Sequence, residues 1–316
     1  MRAAETVTFG ATALDRAAHL RADIASQIAD PKARTVILWR GKPLTDGDAL
    51  ALLPTTHDLV GLSPRPLLFL GLDKDGPVFA ADISPWVPQD MDAEAMKEFF
   101  DASTNHHPMM PDDVLFQELR GVMTRLTPDH ANLAATARGV FAWHDTHRHC
   151  AKCGVQSEIT QAGWQRSCPA CNAQHFPRTD PVVIVLALHG NNVLLGRSPH
   201  WPAGMYSLLA GFMEPGETIE AASRREVFEE SGIKLGPITY LSSQPWPYPS
   251  SLMFGTMGHA ENTDITLDPE ELEDAIWVSR EDVVAAMRDE NPCLKPARQG
   301  SIARFLLDRW VSDDLE

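Results

Sequence analysis

Short apolar and alternating runs recur along the chain, punctuated by Gly, Pro and Asn. In the first half, TVILWRG (35–41), LLFLGLD (67–73) and GPVFAADI (76–83) have the β-branched and apolar content of strands. Residues 112–146 read as two helices broken at Thr127-Pro128. In the second half, PVVIVLAL (181–188) and VLLGR (193–197) flank His189-Gly190-Asn191-Asn192, which predicts a hairpin. A Gly-rich loop then opens a helix. ITYLSS, LMFGTMGHA and IWV follow as strands, and a last helix is expected from about Gly300 to Val311, with Ile302, Phe305, Leu306 and Trp310 on one side. Strands alternating with helices predict an α/β second half behind an α+β first half.

A chain of 316 residues suggests about two domains. We divide it into an N-terminal domain (1–147), a short cysteine-bearing segment (148–177) and an α/β domain (178–316). Its first 110 residues carry no chemical motif, which leaves scaffold or dimerisation surface as their reading. A hydrophobic fraction of 44% supplies real cores. The formal net charge of −16 disfavours extensive nucleic-acid wrapping, which requires many cations, but permits binding of one nucleotide. Arg148, Lys152, Arg166 and Arg178 would form the local basic patch available to a nucleic-acid end. The start has no signal-peptide core and no run spans a bilayer, so a cytoplasmic protein without membrane attachment is expected.

Four of the five cysteines form Cys150-x2-Cys153 and Cys168-x2-Cys171, separated by 14 residues. Two such turns aim four thiolates at one point about 2.3 Å away, the geometry of a structural zinc ion with no open position. One Zn2+ per chain is expected. Cys293 stands alone, and His144, His147, His149 and His175 are read as surface or supporting histidines.

The segment GFMEPGETIEAASRREVFEESGI (211–233) concentrates acid on a helix. Glu226, Glu229 and Glu230 lie at i, i+3 and i+4 and share a face. Gly232 would end the helix, while Glu217 and Glu220 suit its start. One carboxylate face can hold divalent ions that bridge phosphate oxygens and acidify a bound water, and a remaining carboxylate can take the proton. Arg225 is placed to orient the carboxylates. A merely solvated acidic helix remains open on energetics, because like charges at i+4 cost only about 0.2–0.5 kcal/mol. After it, Ser243-Gln244-Pro245-Trp246-Pro247-Tyr248-Pro249-Ser250-Ser251 offers two flat rings on a proline-stiffened loop. It reads equally as a grip for a base or as a structural crossing with its aromatics in the core.

The spacing Gly211, Glu217, Arg225, Glu226, Val227, Glu229, Glu230, Gly232 and Ile233 resembles the Nudix box at every defined position. The aromatic–proline loop resembles the signature of the NADH pyrophosphatase subgroup, in which a four-cysteine ribbon precedes the Nudix domain and an N-terminal domain precedes both. This resemblance implies an α/β/α sandwich that hydrolyses the pyrophosphate of NAD(H) to NMN(H) and AMP. It implies a catalytic set of Glu217, Arg225, Glu226, Glu229 and Glu230. Two or three Mg2+ or Mn2+ ions would be held by Glu226, Glu229, Glu230, Glu271 and the Ala210 carbonyl. Phe176, Phe212, Gln244, Trp246, Tyr248, Ser251, Ala303 and Arg120 would contact substrate. The subgroup's other implied substrate is NAD-capped RNA, and its usual assembly is a homodimer. Two positions depart from the pattern: Tyr248 replaces a phenylalanine, and Gly163 replaces a glutamate before Trp164. The alternative of an inert nucleotide sensor expects lost box carboxylates, and none is lost.

Overall fold

The computed structural model describes residues 5–10, 12–88 and 101–315. The chain packs as two compact units: residues 11–179 with 246–250, and residues 1–10, 180–245 and 251–316.

In the first unit, β1 (Arg34–Trp39) and β2 (Lys42–Asp46) form a hairpin. β3 (Leu68–Asp73) pairs with β4 (Gly76–Asp82), which runs parallel to β1. Residues 112–146 contain the expected two helices but depart from the expectation at their start. They begin with a strand, β5 (Val114–Phe116), antiparallel to β2. Three residues are too few to show a strand period, and burial of Val114 and Phe116 sets the conformation. Then come α1 (Leu119–Val122) and α2 (Pro128–Thr146). The expected break is the start of α2: Thr127 accepts from the His130 N–H and Pro128 fills the first turn. Ile37, Trp39, Leu44, Ala81 and Phe116 form one core cluster, and Ala33, Phe69 and Phe79 another. The cysteine segment adds β6 (Glu158–Thr160), β7 (Gln165–Ser167) and β8 (Gln174–His175) in an antiparallel sheet.

The second unit contains β9 (Asp180–His189), β10 (Asn192–Arg197), β11 (Leu209–Phe212), α3 (Ile219–Ser231) and β12 (Leu235–Trp246) up to Pro245, the last strand residue being counted with the first unit. It continues with β13 (Ser251–Ala260), β14 (Asp274–Ser279), α4 (Arg280–Met287) and α5 (Ile302–Val311). The sheet order is β12-β13-β9-β10-β14, with β11 also paired to β9. The β9–β10 hairpin turns at Gly190-Asn191, with His189 opposite Asn192. Along β9, side chains alternate between two cores, as strand geometry requires. Val183, Val185 and Ala187 meet Ala222 and Val227 of α3. Ile184, Leu186 and Leu188 meet Val283, Ala286, Ile302 and Leu306 of α4 and α5. Helices on both sheet faces make the α/β/α sandwich. Helix α4 escaped the sequence reading because it follows β14 directly, started by the Ser279 cap on Asp282.

Arg166 is buried and cannot belong to a surface patch. Its Nε donates to Ser157 Oγ at 2.8 Å and its Nη2 to the Ser157 carbonyl at 2.6 Å. Its Nη1 lies 3.2 Å from His144 Nδ1, while His144 Nε2 lies 2.9 Å from the Gly163 carbonyl. A guanidinium at Nδ1 requires that nitrogen to accept, so the proton sits on Nε2 and the ring is neutral. Burial chiefly, with Arg166 and Arg65 nearby, lowers the His144 pKa to about 4, although the Gly163 carbonyl opposes this. The folded-state value is depressed below about 6.5 in the unfolded chain, so the stabilisation is complete above pH 6.5 and lost as pH falls towards 4. We expect this to cost about 3 kcal/mol over that window. Urea unfolding at pH 7, 5.5 and 4 should show the excess acid sensitivity, and His144→Gln should flatten it. An identical pH slope in the variant would contradict the assignment.

Candidate active site and metal centres

The two cysteine pairs adopt the same backbone turn twice. The Cys150 carbonyl accepts from the Gly154 N–H and the Cys168 carbonyl from the Asn172 N–H. Gly154 and Asn172 both have positive φ, which Gly and Asn adopt most readily. The four sulfurs lie within 4.8 Å of one another. Cys150–Cys171 and Cys153–Cys168 are separated by 3.6 and 3.4 Å. A tetrahedron with about 2.3 Å metal–sulfur bonds has edges of about 3.8 Å, so a slight expansion admits zinc. His175 Nε2 lies 3.3 Å from Cys150 Sγ. Burial opposes ionisation of Cys150, but the His175 hydrogen bond and the N–H groups of Lys152 and Cys153 overcome it, lowering its pKa to about 6. Four clustered thiols in this geometry fit the ligand set of a structural zinc ribbon.

The second centre is built on α3. Thr218 caps its first turn and Gly232, at φ 70°, ends it. Ser223 Oγ meets Thr256 Oγ1 at 3.0 Å in the core, fixing the helix on the sheet. This turns Glu226 and Glu230 inward, where both are buried. Glu271 comes from a distant turn joined to the helix end: the Asp268 N–H donates to the Glu230 carbonyl, and the Asp268 carbonyl accepts from Glu271 and Leu272. Carboxylate oxygens of Glu226, Glu230 and Glu271 lie within 4.8 Å of one another. Burial, then the charges of Glu226, Glu271 and Glu229, raises Glu230 to about 8. Burial also raises Glu226, against the pull of Arg225. Crowded acids with so little compensating charge fit a divalent cation bound by hard oxygen ligands.

Gly211 makes room for this arrangement. A Cβ at that position would occupy the Glu226 carboxyl group. Ala210, opposite Ile184 on β11, immediately precedes it. Arg225 ties the loop to the helix. Its Nε and Nη2 grip Glu217 at 2.6 and 2.8 Å, its Nη1 reaches Glu226 at 2.9 Å and Glu229 at 3.0 Å, and Nη2 holds the Phe212 carbonyl at 2.9 Å. The bidentate contact, with the Glu214 N–H, lowers Glu217 to about 2. Glu229 is turned to Arg225 and stands outside the three-carboxylate group.

The residues expected to contact substrate separate into exposed and committed groups. Phe212 in the second unit and Phe176 in the first are 60% and 62% exposed, so no core explains either ring. Gln244 is 1% exposed and its amide is spent internally. Nε2 donates to the Thr8 and Gly300 carbonyls, and Oε1 accepts from the Ile302 N–H at 2.7 Å. Its side chain therefore anchors the start of α5, where Ala303 sits in the first turn, instead of facing a ligand. Ser251 opens β13, opposite Asp180. Trp246 and Tyr248 pack ring to ring at 5.0 Å within the first unit. Arg120, bonded to Glu118, and Arg138 both lie over the Tyr248 ring. Tyr248 is thus a packed ring, and Arg138 escaped the sequence reading because an arginine on a helix carries no pattern of its own.

Three family models match in succession: an NADH pyrophosphatase-like rudimentary NUDIX domain over residues 32–143, an NADH pyrophosphatase zinc ribbon domain over 145–176, and a NUDIX domain over 178–297. The chain is 38% identical over 304 residues to the NAD-capped RNA hydrolase NUDT12 of Macaca fascicularis, covering 92% of this chain and 59% of that protein. It is 41% identical over 197 residues to the NAD-capped RNA hydrolase NudC of Stutzerimonas stutzeri, covering 62% of this chain and 68% of the relative. It is 36% identical over 212 residues to the human mitochondrial NAD(P)H pyrophosphatase NUDT13, covering 66% and 60%.

Two outcomes are expected. Gly211→Ala should weaken Mn2+ binding at least tenfold while thermal unfolding stays within a few degrees; isothermal titration of both proteins checks this. Stripping zinc with a strong chelator should lower Tm by more than about 10 °C, because structural zinc contributes several kcal/mol of folding free energy. An unchanged Tm after proven zinc loss would refute a structural role.

Proposed function

This chain belongs to the Nudix family, with the zinc ribbon and N-terminal domain of its NADH pyrophosphatase branch, and we propose that it hydrolyses the pyrophosphate of NAD(H) to NMN(H) and AMP. The observation that carries this is the meeting of Glu226, Glu230 and Glu271 beside a glycine whose missing Cβ leaves them room. Membership of the branch supplies the substrate class.

Divalent ions, Mg2+ or Mn2+, held by Glu226, Glu230 and Glu271 with Glu229 and the Ala210 carbonyl at the margin, would neutralise pyrophosphate charge and acidify water. Water attacks one phosphorus, the bridging P–O bond breaks, and each mononucleotide leaves with one phosphate. A carboxylate of the cluster takes the proton from the water. Arg225, fixed by Glu217, keeps Glu226 and Glu229 in place and contributes positioning. Phe212 and Phe176 present exposed ring faces for stacking on a base or nicotinamide. Arg120, Trp246, Tyr248 and Ser251 are each proposed as further substrate contacts, and Ala303 would offer main chain at a helix start held by Gln244.

The names of the NUDT12 and NudC relatives favour a second substrate, NAD-capped RNA, cleaved by the same chemistry. The chain spans 59% of the length of the primate NUDT12 proteins, so its substrates are proposed on its own site. Among the described residues no helix is long and apolar enough to cross a membrane. We place the protein in the cytoplasm, where thiols stay reduced for zinc, and as a homodimer, which light scattering tests.

Incubation of NADH with the protein and Mn2+ or Mg2+ should yield equal amounts of NMNH and AMP. Glu230→Gln should lower kcat by at least about 100-fold with little change in Tm, the scale of losing a catalytic group. Near-parental kcat in that variant would misassign the metal site. The ratio of kcat/KM for NADH and for NAD-capped RNA decides which substrate the site prefers.

A further inference from the structure

We infer that Arg138 is a positioning residue for substrate binding: it fixes the aromatic–proline loop without touching the reacting atoms. The inference rests on the proposed role of that loop in gripping the dinucleotide.

Arg138 lies on α2, and its guanidinium joins three features of the same unit. Its Nε donates to the Pro247 carbonyl at 2.9 Å. Its Nη1 donates to the Gly41 carbonyl at 2.6 Å, at the tip of the β1–β2 hairpin. Its Cζ lies 4.5 Å from the centre of the Tyr248 ring. Arg120 Cζ approaches the same ring at 4.7 Å, and Trp246 packs on it at 5.0 Å. Tyr248 is therefore engaged by two cations and an aromatic neighbour, and it holds the loop. Pro247, which supplies one carbonyl, is buried, and its ring leaves no N–H for a backbone bond of its own.

The planar fork matters here. A guanidinium donates in its plane to two carbonyls and stacks its face on a ring at once. An ammonium on a lysine stem cannot do all three. Gly41 is matched to this fork. It has φ 78°, and a Cβ there would run into Arg138 Nη1. Gly41→Ala thus disturbs the arginine without altering its chemistry. The interaction sets the loop's shape before substrate arrives, which lowers the ordering cost of binding.

The test compares Arg138→Met, Arg138→Lys and Gly41→Ala with the parent protein, reading steady-state NADH hydrolysis and hydrogen exchange of the 246–250 peptide. We expect KM for NADH to rise at least tenfold in Arg138→Met, with kcat within about threefold and faster exchange in the peptide. Arg138→Lys should fail to restore KM, and Gly41→Ala should shift KM in the same direction. Parental KM in Arg138→Met, or full rescue by lysine, overturns the inference. So does loss of kcat in step with a lowered Tm, which would leave only a general stabilising role. Absence of NADH turnover by the parent protein would overturn the pyrophosphatase proposal instead. In that event parental exchange rates in Arg138→Met would still refute the loop-fixing role, and faster exchange would uphold it.

Discussion

Two carboxyl groups, Glu226 and Glu230, are buried side by side on α3, with Glu271 brought against them from a turn 41 residues beyond Glu230. Burying like charges is unfavourable, and the high pKa of Glu230 records it. The surrounding structure is arranged around this constraint. Gly211 vacates the space for Glu226, the Asp268 turn is bonded to the helix end, and the Ser223–Thr256 pair locks the helix to the sheet. Arg225 supplies a cation to Glu226 and Glu229 but none of its bonds reaches Glu230. A fold with no use for a cation would gain by replacing such a cluster with apolar side chains.

The zinc ribbon meets a different need with similar economy of charge. Four thiolates would close a metal shell, and the turns that aim them are repeated with Gly at one knuckle and Asn at the other. The ribbon packs in the same compact unit as the N-terminal domain. Buried Arg166 binds His144 and the Ser157 main chain there, so a residue that reads as a surface cation serves the interior.

Much of the site was legible in the chain because its chemistry demands fixed spacing. Carboxylates at i and i+4, a terminal glycine and paired CxxC turns each carry a geometric cause. The α/β character of the second half was legible from strand and helix periods, and the sandwich from the family resemblance. Glu271 was legible only by family resemblance, because a turn pinned by backbone hydrogen bonds leaves no periodic trace. Gln244 was expected at the substrate by family resemblance, yet three main-chain groups claim its amide in the core. β5 was too short to show its period. The N-terminal domain offered no motif, and its match to a rudimentary NUDIX domain accounts for that.

The central claim is that Glu226, Glu230 and Glu271 form one divalent-cation site. The most direct test is Mn2+ titration of the zinc-loaded protein followed by electron paramagnetic resonance, repeated for Glu226→Gln, Glu230→Gln and Glu271→Gln. We expect the parent to bind Mn2+ and each variant to bind it at least tenfold more weakly, with the fold intact. Equal Mn2+ affinity in the parent and all three variants would contradict the account.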